Sequence, residues 1–169
     1  NRCNLPCVHC AVSEDGHPHH IETGYISISM VENLMDDLIE NQIHFDTLIL
    51  FWLGEPTIHP HFTTIYRLVL RAASRHQIFS NIELHTNGIR LKEGINKTLL
   101  NHANVRQSLH ITIDANKEAT YHKIKGRDQL QQVVENTKSF LSSKASLEST
   151  WPRVVLQYIV GSNNSSEVG

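Results

Sequence analysis

After Cys10 the chain contains no cysteine. Its three thiols, Cys3, Cys7 and Cys10, all fall within CNLPCVHC at 3–10. So odd and crowded a set argues against a stable disulfide framework. Equally absent are a hydrophobic run of transmembrane length and a legible signal peptide. Charge of one sign is missing too: 15 Lys and Arg stand against 17 Asp and Glu, a formal net charge of −2. That leaves no electrostatic footprint for nucleic acid or an anionic membrane. Free clustered thiols then point to a reduced, cytoplasmic compartment. There is no low-complexity tract and no short-period repeat. The 12 histidines are spread along the chain rather than gathered in a tract.

What is present suffices for one domain with a real core in 169 residues. The chain starts at Asn1 and reaches its thiols at once, and it ends in GSNNSSEVG just after an apolar run. The expectation is a single core domain over 1–169, cut from a longer protein.

The C-x3-C-x2-C spacing leaves three chemistries open. One is a disulfide with a spare thiol. Another is a zinc tetrahedron, which needs a fourth ligand such as a histidine. The third is an iron–sulfur cube held by three thiolates, with one iron left open.

The remainder reads as alternating helices and strands. Ser29 with Glu32 suggests a capping box, and Val31, Leu34, Met35, Leu38 and Ile39 share a helical face. TLILFWL (47–53) is a continuous apolar run, expected of a strand buried on both faces. Phe62, Ile65, Tyr66, Val69, Leu70 and Ala73 mark a second helix, with Pro60 near its start. NIELHTNG (81–88) is a strand ending in a turn, and a weaker helix follows over 91–103. SLHITIDA (108–115) alternates as a strand, residues 130–141 form a long helix, and RVVLQYIV (153–160) is a last strand. Such alternation implies a parallel sheet with helices outside it.

Strand alternation separates two faces. Ile82, Leu84, Leu109, Ile111 and Ile113 point one way, toward helices. Glu83, His85, Asn87, His110, Thr112 and Asp114 point the other. In the last strand Val154 and Leu156 oppose Val155, Gln157 and Ile159. Polar residues on successive inner positions predict a cavity, open near the strand C-termini where parallel α/β folds bind ligands.

The motifs sit at those C-termini: LGEPTIHP (53–60), HTNG (85–88) and TID (112–114). Together with CNLPCVHC, and in this order, they make the chain resemble the radical S-adenosylmethionine superfamily. The nearest group is the one that includes SPASM-type peptide maturases and molybdenum-cofactor cyclases. The resemblance implies a partial (β/α)6-type TIM barrel with parallel strands and outer helices, truncated at both ends. It also implies a 4Fe-4S cluster on Cys3, Cys7 and Cys10, with S-adenosylmethionine chelating the open iron. Reductive cleavage would then give a 5′-deoxyadenosyl radical that removes hydrogen from a substrate, with the cofactors carrying the hard chemistry.

Further roles follow from the same resemblance. Gly54, Glu55 and Pro56 would receive the methionine ammonium, although Leu53 stands where the family often has glycine. Thr86, Asn87 and Gly88 would sit at the cavity rim. Thr112 and Asp114 would face the ribose, and Asp114 has the alternative of capping the next segment. His9 would pack on the adenine or face solvent, Ile159 would contact the adenine, and Gln157 would reach cofactor or substrate. A flavodoxin- or ferredoxin-like electron donor is implied, and the substrate is open between a peptide and a small metabolite. The rival is a zinc-binding module in which His17, His19 or His20 completes a Cys3His site. It leaves the three strand-end motifs unexplained. His59, His61, His76, His102 and His122 are expected on surfaces.

Overall fold

The computed structural model describes residues 1–10, 22–101 and 104–168. In chain order these form α1 (Ile28–Glu40), β1 (Phe45–Leu50), α2 (Phe62–His76), β2 (Phe79–Thr86), α3 (Glu93–Leu100), β3 (Gln107–Thr112), α4 (Glu118–Lys125), α5 (Leu130–Ser146) and β4 (Arg153–Gln157). The strands form one sheet in the order β1-β2-β3-β4. Every neighbouring pair is parallel. Each strand thus returns to the same end of the sheet through a helix, as parallel pairing requires. This is the arc of a partial (β/α) barrel. No helix among the described residues is long and apolar enough to cross a membrane.

The core lies between the sheet and its helices. Ile82, Leu84, Leu109 and Ile111 have no exposed surface. They pack with Val31 and Met35 of α1, Tyr66, Val69 and Leu70 of α2, and Val133 and Phe140 of α5. A buried side chain of this size contributes about 1.5–3 kcal/mol relative to leaving it in water. Pairing of Ile82 with Leu48 and of Leu84 with Leu50 carries the apolar layer onto β1.

Three local expectations are corrected. The first helix is capped by Ser27, not Ser29: the Ser27 side chain accepts from the Met30 backbone N–H at 3.1 Å. Its buried stripe is Val31, Met35 and Leu38, whereas Leu34 is exposed. The apolar run over 47–53 does not stay in the sheet. It leaves at Leu50, and Trp52 is 83% exposed. Among the described residues β1 is an edge strand with a ladder partner on one side only, and Phe45 and Ile49 are exposed as well. Finally, α4 is a helix the periodicity did not reveal. It is short, and only Tyr121, Ile124 and Lys125 are buried in it. The weak helix expected over 91–103 runs over Glu93–Leu100, and residues 102 and 103 lie outside the described residues.

The cap makes a direct test. Ser27→Ala should lower stability by about 1 kcal/mol. Ser29→Ala should stay within about 0.5 kcal/mol. Denaturant midpoints of the two variants decide which serine caps the helix.

Candidate functional site

The cysteine loop lies across the C-terminal end of the sheet and is fastened at several points. At its start the Glu55 backbone N–H donates to the Arg2 carbonyl at 2.7 Å. Gly54 makes this approach possible. Its φ is +108°, and a Cβ there would collide with the Arg2 carbonyl. Farther along, Leu5 is buried. The Asn4 side-chain oxygen accepts from Asn87 Nδ2 at 2.8 Å. At the far end the Val8 N–H donates to the Ile124 carbonyl at 2.9 Å. Gly126, with φ +75°, lets Pro6 pack directly on the end of α4, where a Cβ would sit 2.6 Å from the Pro6 ring. The loop is therefore clamped between the turn after β1 and the C-terminus of α4.

None of the three thiols is in a disulfide; Cys3 and Cys7 are half-buried and Cys10 is exposed. Burial pushes the Cys7 thiol up to about 11. The Lys125 cation opposes this, while Cys3 and Cys10 push it higher. Cys3 is also raised, first by burial. Three soft donors gathered on one loop fit a group that takes thiolates and brings its own positive metal charge. His9 is exposed on the turn between Cys7 and Cys10, whose ends are joined by a Cys10 N–H to Cys7 carbonyl bond of 3.1 Å. His17, His19 and His20 lie outside the described residues.

Glu55 is 5% exposed and its carboxylate points inward. Oε1 accepts from Thr57 N at 3.1 Å, Thr57 Oγ1 at 2.6 Å and Thr86 Oγ1 at 2.7 Å. Oε2 accepts from Asn87 N at 2.7 Å. Burial raises the Glu55 carboxyl above the usual range, and these four donors oppose it. Pro56 begins a 3-10 turn, Pro56–Ile58. Thr86 and Asn87 are buried behind the cysteine loop rather than open to a rim. Gly88, with φ +78°, closes the turn against Val133 and Ile111.

Asp114 adopts φ +60° and has 1% of its side chain exposed. Its Oδ2 pairs with Lys125 Nζ at 2.5 Å, and its Oδ1 accepts from the Ile159 N–H at 2.6 Å. Asn164 Nδ2 donates to its carbonyl at 2.8 Å. Asp114 thus neither caps α4 nor offers surface to a ribose; it ties the end of β3 to α4 and to the chain after β4. Thr112 and Gln157 remain half-buried on the inner face, joined by a 3.3 Å bond. The Ile159 side chain is 56% exposed. A cleft of about 230 Å³ opens beside β1, lined by Arg2, Tyr25, Trp52, Glu55 and His59 among others. His59 is structural, with Nε2 2.8 Å from the Ile26 carbonyl.

Three residues on the inner face escaped assignment in the sequence: Glu83, His85 and His110. Alternation placed them on that face. Only the register, which pairs His85 with His110, makes them one cluster. His85 Nε2 lies 2.5 Å and His110 Nε2 3.7 Å from Glu83 Oε1. The two imidazoles stack at 4.3 Å, and Phe51 stacks on the other side of His85 at 5.0 Å. Lys125 and Asn4 were also missed. Lys125 lies outside every motif and Asn4 is one of the non-cysteine positions of CNLPCVHC, and each acquires a role only through contacts distant in sequence.

Two outcomes follow. Lys125→Met leaves Asp114 buried without its cation and should cost about 3–5 kcal/mol. Adding Asp114→Asn should recover part of that loss in a double-mutant cycle of unfolding free energies. Glu55→Gln places an amide donor against a buried donor and should cost about 1–3 kcal/mol, read as a lower denaturation midpoint.

Comparison with known proteins bears on the same residues. The Radical SAM superfamily profile matches residues 1–154. Native anSMEcpe with bound AdoMet (S-adenosylmethionine) and Cp18Cys peptide is similar in structure, with a TM-score of 0.71 at 16% identity over 99% of this chain and 42% of that one. Native anSMEcpe with bound AdoMet gives 0.75 at 17% identity, over 99% and 44%. SuiB of Streptococcus suis bound to S-adenosylmethionine gives 0.64 at 12% identity, over 99% and 34%. The chain therefore spans less than half the length of these structures. A search of curated proteins found no match by sequence. With the profile extending from the cysteine loop into the last strand, the chain belongs to the Radical SAM superfamily.

Proposed function

We propose that this chain is the core of a radical enzyme in which Cys3, Cys7 and Cys10 hold a 4Fe-4S cluster beside a site for S-adenosylmethionine. The observation that carries the reading is the clamped loop. All three thiols sit on one segment fixed at Arg2, Asn4, Pro6 and Val8, in a chain of this superfamily. When bound, the two groups supply one-electron cleavage of a sulfonium and hydrogen abstraction from a substrate.

The protein's part is to bind and orient. Three thiolates satisfy three irons and leave one open for a chelating ligand. The Gly54-Glu55-Pro56 turn would meet the methionine ammonium, with the Glu55 carboxylate holding that turn rigid from within. Thr112 and Gln157 would hydrogen-bond the sugar, and Ile159 would give the adenine an apolar contact, with His9 closing over it from the loop. Thr86, Asn87, Gly88 and Asp114 act as positioning residues: they fix the GEP turn, the cysteine loop and the Ile159 backbone. Lys125, neutralised by its pairing with Asp114, would lie near the cluster that Cys7 helps to hold. The half-buried inner face leaves room for a substrate, either a peptide or a small metabolite. The structural relatives solved with the Cp18Cys peptide and with the SuiA precursor peptide support the peptide class. A flavodoxin- or ferredoxin-like donor would supply the electron.

Anaerobic reconstitution with iron and sulfide, followed by electron paramagnetic resonance of the reduced chain, tests this reading. A 4Fe-4S signal that changes on adding S-adenosylmethionine is expected, together with loss of the cluster in Cys7→Ala. A full cluster retained in Cys7→Ala would remove that cysteine from the ligand set.

A further inference from the structure

We propose that Glu83, His85 and His110 form a binding site for a divalent transition-metal ion on the inner face of the sheet. The site uses none of the residues assigned to the cluster or the cofactor, so it stands or falls separately from them.

The donor set comes first. Two imidazoles and one carboxylate suit zinc or ferrous iron, and three protein ligands leave a position open for a further group. One ligand atom from each side chain lies within 4.8 Å of the other two. Bonds of about 2.0–2.2 Å in a tetrahedral shell place ligand atoms about 3–3.5 Å apart. Seating an ion therefore requires the stacked imidazoles to rotate out of their parallel arrangement so that both ring nitrogens face it.

The backbone explains why the three converge. Glu83 and His85 are two apart on β2 and so share a face. His110 is the register partner of His85 on β3. Three donors are thus presented by two adjacent parallel strands in the interior of the sheet, where the scaffold is stiffest. Their side chains are 23%, 16% and 17% exposed, which leaves one side open for the ion and a fourth ligand. Phe51 covers the far side of His85, and Ile49 is the neighbour of Glu83 on β1. These apolar groups lower the local dielectric and strengthen attraction between Glu83 and a cation.

The cluster is also poorly explained as structure. The ion pairs of Glu83 are with His85 and His110, and a second cation is not paired with it among the described residues. His110 Nδ1 is buried without a hydrogen-bond partner. The open position would hold a carbonyl or carboxylate oxygen of a molecule lying on the inner face.

The test uses the chain after anaerobic reconstitution, equilibrated with Zn²⁺ and assayed for bound zinc by mass spectrometry beside Glu83→Gln and His110→Gln. Wild type should bind one zinc that each variant binds more than about tenfold more weakly. Equal zinc in all three, or none in wild type, overturns the proposal. Zinc K-edge absorption of the wild-type chain gives an answer that does not depend on any variant folding. A shell of imidazole nitrogen and oxygen supports the site. Sulfur in the shell would place the zinc on the cysteine loop and overturn it.

Discussion

Glu55 joins three segments, through its buried carboxylate and its backbone N–H. Its oxygens accept from Thr57 on its own turn and from Thr86 and Asn87 at the end of β2, while its backbone N–H holds Arg2. An isolated carboxylate is too costly to bury, so the four donors are a condition of its position. With them in place, the turn after β1, the turn after β2 and the start of the cysteine loop form one rigid unit. The loop then presents its three thiols from a fixed segment.

The opposite side of the site is held by a second buried charge. Asp114 and Lys125 pair close enough to Cys7 to act on its thiol electrostatically, and Asp114 also fixes the Ile159 backbone. A buried ion pair of this kind is weak as a source of stability, because desolvation offsets much of the attraction. Its value here is positional. It connects β3, α4 and the segment after β4, and Gly126 at the end of α4 is where Pro6 docks. The cysteine loop thus rests on a carboxylate at one end and on an ion-paired helix at the other.

Between these anchors the sheet offers two unlike faces. One is sealed by helices over Ile82, Leu84, Leu109 and Ile111. The other carries Glu83, His85, His110 and Thr112, half-buried and facing the space that the arc partly encloses. A parallel strand buried on both sides normally reads as continuous apolar sequence. Here β2 and β3 alternate, so the inner face is polar and only half-buried.

The sequence by itself determined the class of fold, the strand order of motifs and the family. Alternating apolar periods specify helices and strands locally, and the motifs at the strand ends are short enough to be read without contacts. It also separated the two faces of β2 and β3, since side chains alternate with a period of two. Its failures share one cause. The exit of the chain from β1 at Leu50, the cap at Ser27 and the helix at Glu118–Lys125 depend on neighbours, edges and backbone geometry that no local pattern records. Tertiary structure alone buried Thr86, Asn87 and Asp114, because they bond to Glu55, Asn4, Lys125 and Ile159, 11 to 83 residues away. It alone added His110 to the pair Glu83 and His85, because register between strands sets which side chains touch across them.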